Sequence, residues 1–244
     1  MPRKKIVLIT GASGGLGQAL CRTFSTGDYQ IGVHVDRNTR KGIKTVQDLN
    51  AVGHVAALFS ADLRNPLSVR RIFDDLLGKW GRIDLLINNA AVRSDRLLMR
   101  MRRTDWDDVI DLNLSGTFFC MREAGRAMCR NGGGGHIINI ASYSAYTGRI
   151  GQASYTASKR GLIALTQTAA REWGSAAIQV NTVLPGFLST SMTAGLTSER
   201  KEQLIEENLL RHSSTLEEVS EFILHLSKMK HVSGQTFNLD SRIY

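Results

Sequence analysis

The chain has 244 residues, of which 42% are hydrophobic, and a formal net charge of +9. Its length fits one α/β domain with a single hydrophobic core, so we expect one domain over residues 1–244. No apolar stretch approaches the roughly 18 residues of a membrane-spanning helix, the basic N-terminus continues into a glycine-rich loop, and the three cysteines lack CxxC spacing. We therefore expect a cytoplasmic protein with reduced thiols, no membrane partner and no bound metal.

The positive charge, 31 Lys and Arg against 22 Asp and Glu, suggests an anionic partner. The densest basic cluster lies within residues 93–103, but no zinc-finger, basic-zipper or helix-turn-helix spacing accompanies it. We expect no nucleic-acid partner. A solvated surface explains such a cluster more often, and an anionic substrate or an acidic carrier protein remains the alternative.

Short apolar runs alternate with amphipathic stretches of helical length, which is the pattern of βαβ units. The runs are nearly all apolar, as expected of strands that helices cover on both faces. The predicted strands are 6–9, 30–35, 55–60, 85–88, 135–140, 179–184 and 235–239. The predicted helices are 16–24, 67–80, 105–130, 154–174 and 216–227. The sequence therefore predicts an α/β fold, a Rossmann-type doubly wound sheet of seven parallel strands with helices on both faces.

Residues 10–17, TGASGGLG, form the turn between the first predicted strand and the first predicted helix. Glycines at this position let the backbone approach a pyrophosphate, which the N–H groups at the start of the helix can bind. Tight turns also use glycine for purely structural reasons. Its place at the first βα turn of an alternating chain favours a dinucleotide-binding site, because ligands bind at the carboxyl ends of parallel strands.

The segment 155–159 reads YTASK and places Tyr155 and Lys159 four residues apart, on one face of a predicted helix. A nearby ammonium favours the phenolate, so the pKa of the tyrosine would fall toward the working pH and the hydroxyl could exchange a proton with a substrate oxygen. The alternative is an ordinary surface pair.

Three further polar positions support the catalytic interpretation. Ser142 follows the predicted strand 135–140, so its hydroxyl can lie beside Tyr155 and hold a substrate oxygen. Asn113 is a polar residue in an apolar helical setting, where it either supports a proton-relay water or bonds to a neighbouring carbonyl. Residues 88–91, NNAA, end the fourth strand and would lie beside a cofactor, although a strand-terminating turn also favours Asn.

These motifs resemble the short-chain dehydrogenases/reductases over the whole chain. Residues 95–101, with Asp105 and Trp106 after them, and residues 184–187 are most similar to bacterial 3-oxoacyl-acyl-carrier-protein reductases. The resemblance implies a hydride transfer between a nicotinamide dinucleotide and a carbonyl or alcohol group. It also implies a homotetramer.

The resemblance implies a role for each matching residue. Tyr155 would be the general acid for ketone reduction, Ser142 would orient the carbonyl, Lys159 would bind the nicotinamide ribose and lower the pKa of the tyrosine, and Asn113 would hold the relay water. The other implied cofactor contacts are the pyrophosphate side at Gly11, Ala12, Ser13, Gly14 and Leu16, the adenine at Asp62 and Leu63, the ribose at Asn89, and the nicotinamide amide at Leu188.

The cofactor site departs from the family pattern in ways that conflict. NADP-preferring reductases often have Arg where this chain has Gly14, and the acid that NAD enzymes place at the end of the second strand is replaced by Val35. Asp36, the next residue, would repel a 2′-phosphate, whereas Arg37 and Arg40 could bind one. We expect NADP(H) to be favoured, with Arg37 as the phosphate partner, and NAD(H) remains the alternative.

Residues 240–242, Asp-Ser-Arg, replace the Gly-Gly pair that usually follows the last strand, which puts either the tetramer contacts or the acyl substrate in doubt. By resemblance, Arg130 and Arg171 would dock an acidic acyl carrier protein. Residues 189–210 are expected to form a mobile lid over the substrate.

Three functions remain open from the sequence. The first is NADP-dependent reduction of a 3-oxoacyl thioester in fatty-acid or related synthesis. The second is reduction or oxidation of another ketone or alcohol, such as a polyketide, a sugar or a small secondary alcohol. The third is a binding or regulatory protein that has lost catalysis, and the intact set of Asn113, Ser142, Tyr155 and Lys159 argues against it.

Overall fold

The structure is a computed structural model that describes residues 4–191 and 193–243. Its sheet has seven parallel strands in the spatial order β3-β2-β1-β4-β5-β6-β7. The strands are β1 (Lys5–Ile9), β2 (Tyr29–Val35), β3 (Ala56–Ser60), β4 (Leu85–Asn88), β5 (Gly135–Ile140), β6 (Ile178–Leu184) and β7 (Thr236–Asn238). This confirms the predicted fold class.

The helices cover both faces of this sheet. They are α1 (Gly15–Ser25), α2 (Thr39–Ala51), α3 (Pro66–Trp80), α4 (Arg103–Ile110), α5 (Thr117–Arg130), α6 (Ser144–Thr147), α7 (Ala153–Trp173), α8 (Ser198–Glu206) and α9 (Leu216–Leu226). None of the described helices is long and apolar enough to cross a membrane.

The strand side chains divide between two apolar layers. Val7 and Ile9 of β1 pack with Phe24 of α1 on one face, whereas Ile6 and Leu8 pack with the second layer on the other face. All five side chains are at most 2% exposed. Burying each such side chain contributes about 1.5–3 kcal/mol, so a strand with two covered faces is apolar throughout, as the sequence pattern indicated.

The sequence analysis missed three helices, α2, α6 and α8. Leu49 and Gly42 are the buried residues of α2, and Leu204 is the buried residue of α8. Helix α2 is exposed over most of its length, α8 has one buried residue and α6 has only four residues, so none of them has a wide buried apolar stripe. The predicted helix 105–130 is interrupted by a π-helical turn, Asp111–Gly116, between α4 and α5.

The strand order reverses between β1 and β4, whose neighbours β2 and β5 lie on opposite sides. At such a reversal the loops after adjacent strands diverge and leave a crevice at the carboxyl ends. The first glycine-rich turn follows β1 and the segment after β4 begins at Asn89, so the topology brings these two predicted cofactor segments to the same crevice.

Candidate functional site

A cavity of about 700 Å³ opens at the carboxyl ends of the strands. Its lining includes eleven of the predicted site residues, from both the cofactor set and the proton-transfer set. They are Gly11, Ser13, Gly14, Leu16, Arg37, Leu63, Asn89, Ser142, Tyr155, Lys159 and Leu188. Ala12, Asp62 and Asn113 do not line the cavity.

The turn after β1 and the first turn of α1 each require a glycine. Gly11 has φ +63°, and a Cβ there would lie 2.7 Å from the Cα of Ala90. A Cβ on Gly17 would lie 2.4 Å from the carbonyl oxygen of Gly11 and 2.7 Å from the Cα of Ala12. These contacts are shorter than any van der Waals separation, so both glycines hold the turn, the start of α1 and the segment after β4 in close contact.

The first turn of α1 faces the cavity without a capping side chain. Gly14 is the N-cap, no side chain accepts a hydrogen bond from the N-terminal N–H groups, and no acidic residue lies in the first turn. Gly15, Leu16 and Gly17 line the cavity. An uncapped helix N-terminus carries partial positive charge and free donors, so the described residues fit a pyrophosphate here.

A hydrogen-bond network joins the turn after β1 to the segment after β4. The Thr10 hydroxyl oxygen accepts from the backbone N–H groups of Asn89 and Ala90 at 2.9 and 3.0 Å. The Asn89 amide nitrogen donates to the carbonyl oxygens of Thr10 and Gly11 at 3.0 and 3.1 Å. The Asn89 amide therefore positions the glycine turn, whatever further contact it makes.

The end of β2 forms another wall of the cavity. His34 is buried, accepts from the N–H of Gly11 at 3.3 Å and bonds through Nε2 to the carbonyl oxygen of Ala61 at 3.0 Å. Burial lowers the pKa of His34 to about 4, so its imidazole is neutral at pH 7. The sequence analysis did not identify this residue.

Beyond His34, the side chain of Val35 is buried in the core, and Asp36 and Arg37 reach the cavity. Arg37 Nε lies 3.7 Å from Asp36 Oδ2, and the Arg37 side chain is 85% exposed. The two side chains therefore form a loose, solvated pair that a bound phosphate could replace.

Asp62 lies beside this wall, where it binds Arg64. The Arg64 guanidinium contacts both Asp62 carboxylate oxygens at 2.8–3.0 Å, and the hydrogen bond to Arg64 is the main reason that the pKa of Asp62 is lowered. Arg64 itself lines the cavity, but its charge is already paired, which leaves Arg37 as the more available cation on this side.

Tyr155, Ser142 and Lys159 meet inside the cavity. Tyr155 and Ser142 are partly buried and share a hydrogen bond, and Lys159 is 2% exposed. Lys159 Nζ donates to the carbonyl oxygen of Ile140 at 2.8 Å and lies 5.6 Å from the centroid of the Tyr155 ring. The spacing of four residues on α7 and the position of Ser142 after β5 bring the three groups together.

The pKa directions at this site follow from burial. Burial raises the pKa of Tyr155, while the hydrogen bond to Ser142 and the charges of Arg93 and Arg149 lower it. Burial also lowers the pKa of Lys159 to about 8. The net direction for Tyr155 is opposite to the one that we expected from the sequence, because the low-dielectric surroundings of the phenol outweigh the nearby positive charges.

Asn113 lies in the π-helical turn and is fully buried. Its amide nitrogen donates to the Val92 carbonyl oxygen at 2.9 Å and to the Ser158 hydroxyl at 3.2 Å, and its amide oxygen accepts from the Val92 N–H at 2.8 Å. The side chain thus holds the segment after Ala91 against α7. Of the two roles expected for the Asn113 side chain, the structure shows the hydrogen bond to a neighbouring carbonyl.

Four arginines line the other half of the cavity, which the sequence analysis did not foresee as a group. They are Arg93, Arg149, Arg200 and Arg242. Arg242 comes from the unusual C-terminal segment, pairs with Asp240 and Glu207, and lies over the Tyr143 ring at 4.2 Å. The departure from the family pattern at residues 240–242 therefore alters the cavity itself.

Arg130 and Arg171 lie outside this cavity. Arg130 lines a separate groove between α5 and α7, together with apolar side chains such as Phe118, Leu165 and Trp173. Arg171 is exposed on α7. Among the described residues, no group of three or more His, Cys, Asp or Glu side chains could hold a metal ion.

Comparisons with known proteins agree with this geometry. The family model described as short chain dehydrogenase matches residues 5–201. The chain is 35% identical over 246 residues to the 3-oxoacyl-[acyl-carrier-protein] reductase FabG of Staphylococcus aureus, with 100% of both chains covered. It is 37% identical over 239 residues to the 3-oxoacyl-[acyl-carrier-protein] reductase of a Synechocystis species, covering 97% of this chain and 95% of the relative. The chain therefore belongs to the short-chain dehydrogenase family and is an NAD(P)-linked oxidoreductase that acts on CH–OH or C=O groups.

Proposed function

We propose that this protein reduces a 3-oxoacyl thioester, bound to acyl carrier protein, to the 3-hydroxyacyl form with NADPH, in fatty-acid or related synthesis. The observation that carries the proposal is the convergence of Tyr155, Ser142 and Lys159 with the glycine turn in one cavity. The full-length similarity to 3-oxoacyl-[acyl-carrier-protein] reductases supports the choice of substrate.

Tyr155 supplies the proton in this proposal. Because burial raises its pKa, the phenol is protonated at pH 7 and can donate to the carbonyl oxygen as negative charge develops there. Ser142, already hydrogen-bonded to the phenol, holds the same oxygen, and a positioned donor of this kind stabilises the developing charge. Nicotinamide, when bound, supplies the hydride.

Lys159 maintains the positive charge beside the phenol. Its Nζ is anchored by the carbonyl oxygen of Ile140, and a pKa of about 8 keeps most of the group protonated at pH 7. We propose that Lys159 binds the nicotinamide ribose and stabilises Tyr155 after proton transfer. Asn113, whose side-chain amide is bonded to Val92 and Ser158, would hold the relay water for this pair through its position in the π-helical turn.

The cofactor would occupy the half of the cavity between α1 and β2. The pyrophosphate would lie at Gly11–Leu16, with Ala12 setting the backbone beneath it, the adenine near Asp62 and Leu63, one ribose at Asn89 and the nicotinamide amide at Leu188. Arg37 would bind the 2′-phosphate of NADP(H), because its pairing with Asp36 is loose and its guanidinium is exposed.

The partners follow from the second groove and the surface charge. We propose a cytoplasmic homotetramer of one-domain subunits, and an acidic carrier protein that docks at Arg171 and Arg130. Residues 189–210, which include Arg200 and Leu204 at the cavity wall, would form the lid. Met192 within this stretch lies outside the described residues.

A second candidate is a reductase of another ketone. The four arginines of the cavity and the Asp240–Arg242 pair favour it, since an uncharged acyl chain has no use for them. Both candidates use the same proton-transfer groups and differ only in substrate.

The assay that tests the proposal compares acetoacetyl thioester with a panel of small ketones, sugars and polyketide-like ketones, each with NADPH and with NADH. The proposed function predicts the highest kcat/KM for the thioester with NADPH. Turnover of another ketone alone would overturn the thioester assignment in favour of the second candidate.

A further inference from the structure

Arg149 stands out among the charged groups of the cavity. It follows α6, its side chain is partly buried, and it lines the same cavity as Tyr155 and Ser142. Among the described residues, no side chain or carbonyl forms a hydrogen bond or an ion pair with its guanidinium. Burial and the charge of Arg200 lower the pKa of Arg149, and the charges of Glu207 and Asp95 act in the opposite direction.

The three neighbouring arginines differ from Arg149 because each has an acidic partner. Arg93 lies 3.7 Å from Asp95, whose carboxylate also accepts from the Gln152 amide at 3.2–3.3 Å. Arg200 and Arg242 both contact Glu207. These three arginines therefore have acidic partners within ion-pair distance, whereas the charges of Glu207 and Asp95 act on Arg149 without a direct contact among the described residues.

A partly buried guanidinium without a partner is costly, because it has lost hydration and gained no hydrogen bond in return. A bound anion would offset this loss of hydration, since a carboxylate or phosphate accepts two parallel hydrogen bonds from one guanidinium. Arg149 lines the same cavity as Tyr155 and Ser142, and its charge lowers the pKa of Tyr155, so an anion bound at Arg149 would share this cavity with the reacting carbonyl.

We propose that the ketone substrate carries an anionic group near its reacting carbonyl, a carboxylate or a phosphate ester, and that Arg149 binds this group. The proposal rests on the reductase chemistry of the proposed function, and it names an anionic group that the substrate must carry. Two sources supply the same chemistry: the carboxylate of a free 3-oxo acid, and the phosphate of the pantetheine arm of a thioester. The first source would replace the thioester as substrate, and it is favoured because Arg149 and Tyr155 line the same cavity, whereas a pantetheine phosphate is separated from the thioester by a long chain.

The experiment compares matched charged and neutral substrates in wild-type protein and in Arg149→Gln. Acetoacetate and methyl acetoacetate form one pair, and acetoacetyl-phosphopantetheine and acetoacetyl-pantetheine form the other. Losing a charge-assisted bidentate contact is expected to raise KM for the recognised anion roughly 10- to 100-fold, with a change of no more than about 2-fold for its neutral partner. Arg149→Lys keeps the positive charge but cannot donate two parallel hydrogen bonds, so its KM for the recognised anion should lie between those of wild type and Arg149→Gln.

Arg71→Gln is the matched control, since it removes the same charge from an exposed position on α3 that does not line the cavity. Thermal unfolding of each variant tests whether the fold is retained. An effect confined to the acetoacetate pair identifies the carboxylate, and one confined to the pantetheine pair identifies the phosphate. An equal rise in KM for charged and neutral substrates, or no rise for either, would overturn the proposal.

The outcomes also separate this inference from the proposed function. Efficient reduction of neutral acetoacetyl-pantetheine with no dependence on Arg149 would support the thioester substrate and contradict the anion site at Arg149. Reduction of acetoacetate that depends on Arg149, without turnover of either thioester, would keep the anion site and remove the thioester substrate.

Discussion

Lys159 is expected to lower the stability of the free protein at neutral pH while serving the reaction. Its side chain is 2% exposed, and its Nζ has a single hydrogen-bond partner in the described structure, the carbonyl oxygen of Ile140. Burial lowers its pKa from 10.5 to about 8. Replacing Lys159 with Met removes the buried charge, keeps most of the side-chain volume and eliminates the proposed ribose contact.

The magnitude follows from the linkage between protonation and folding. Between the folded pKa near 8 and the unfolded value of 10.5, the unfolded chain binds the Lys159 proton and the folded chain does not, so stability rises with pH. The full difference corresponds to about 3 kcal/mol. Below pH 8 both states hold the proton, and the whole cost of the buried charge opposes folding.

The assay is urea unfolding of wild type and Lys159→Met at a series of pH values from 7 to 10. The free energy of unfolding of wild type should rise by roughly 2–3 kcal/mol relative to the variant over this interval. Lys79→Met, which removes a lysine from an exposed position on α3, should remain parallel to wild type. Activity of Lys159→Met should fall at every pH, as expected where a functional group costs stability.

Parallel stability curves for wild type and Lys159→Met would refute the reasoning. That result would mean that the ammonium is hydrated in the free protein, so that burial does not shift its pKa. The site would then contain more water than the packing around Ile140 indicates. Tyr155 would also lie in hydrated surroundings, and burial would not raise its pKa.

Five further substitutions, of which Gly78→Ala is a control, test the cofactor and substrate sides of the cavity. Gly17→Ala places a Cβ 2.4 Å from a backbone oxygen, so it should lower the free energy of unfolding by about 1–3 kcal/mol and weaken dinucleotide binding in titrations. The control Gly78→Ala, where a Cβ meets nothing within 4 Å, should stabilise the protein slightly. Arg37→Ala should raise KM for NADPH about 10-fold without changing KM for NADH, and Asp36→Asn should lower KM for NADPH; equal effects on both cofactors would contradict the 2′-phosphate contact. Ser142→Ala should lower kcat roughly 100-fold at saturating cofactor, and an unchanged kcat would exclude Ser142 from holding the substrate oxygen.

The sequence was sufficient to predict the sheet and the position of the cofactor turn. Strands covered on both faces are apolar throughout, and Gly11 and Gly17 have backbone neighbours too close for a side chain. The missed helices α2, α6 and α8 show the limit of this reasoning. Helix α8 buries only Leu204, so its sequence carries little periodic apolar signal. Its position against the cavity depends on tertiary contacts that the local sequence does not specify.

The substrate half of the cavity was less accessible from the sequence. Arg149 lies next to Gly148, with no neighbouring motif to indicate that its side chain lines the cavity of Tyr155. Arg242 was recognised as unusual, but its place over Tyr143 depends on the path of the C-terminal segment across the fold. The pKa of Tyr155 likewise depends on burial, which the spacing of residues on one helix does not specify.

The most direct test of the central claim is NADPH oxidation with acetoacetyl thioester by wild type and by Tyr155→Phe. The variant lacks the hydroxyl but keeps the ring, so cofactor binding should persist while kcat falls by about 10²- to 10⁴-fold, the usual contribution of a positioned general acid. A variant that binds NADPH and retains wild-type kcat would contradict the assignment of proton transfer to Tyr155.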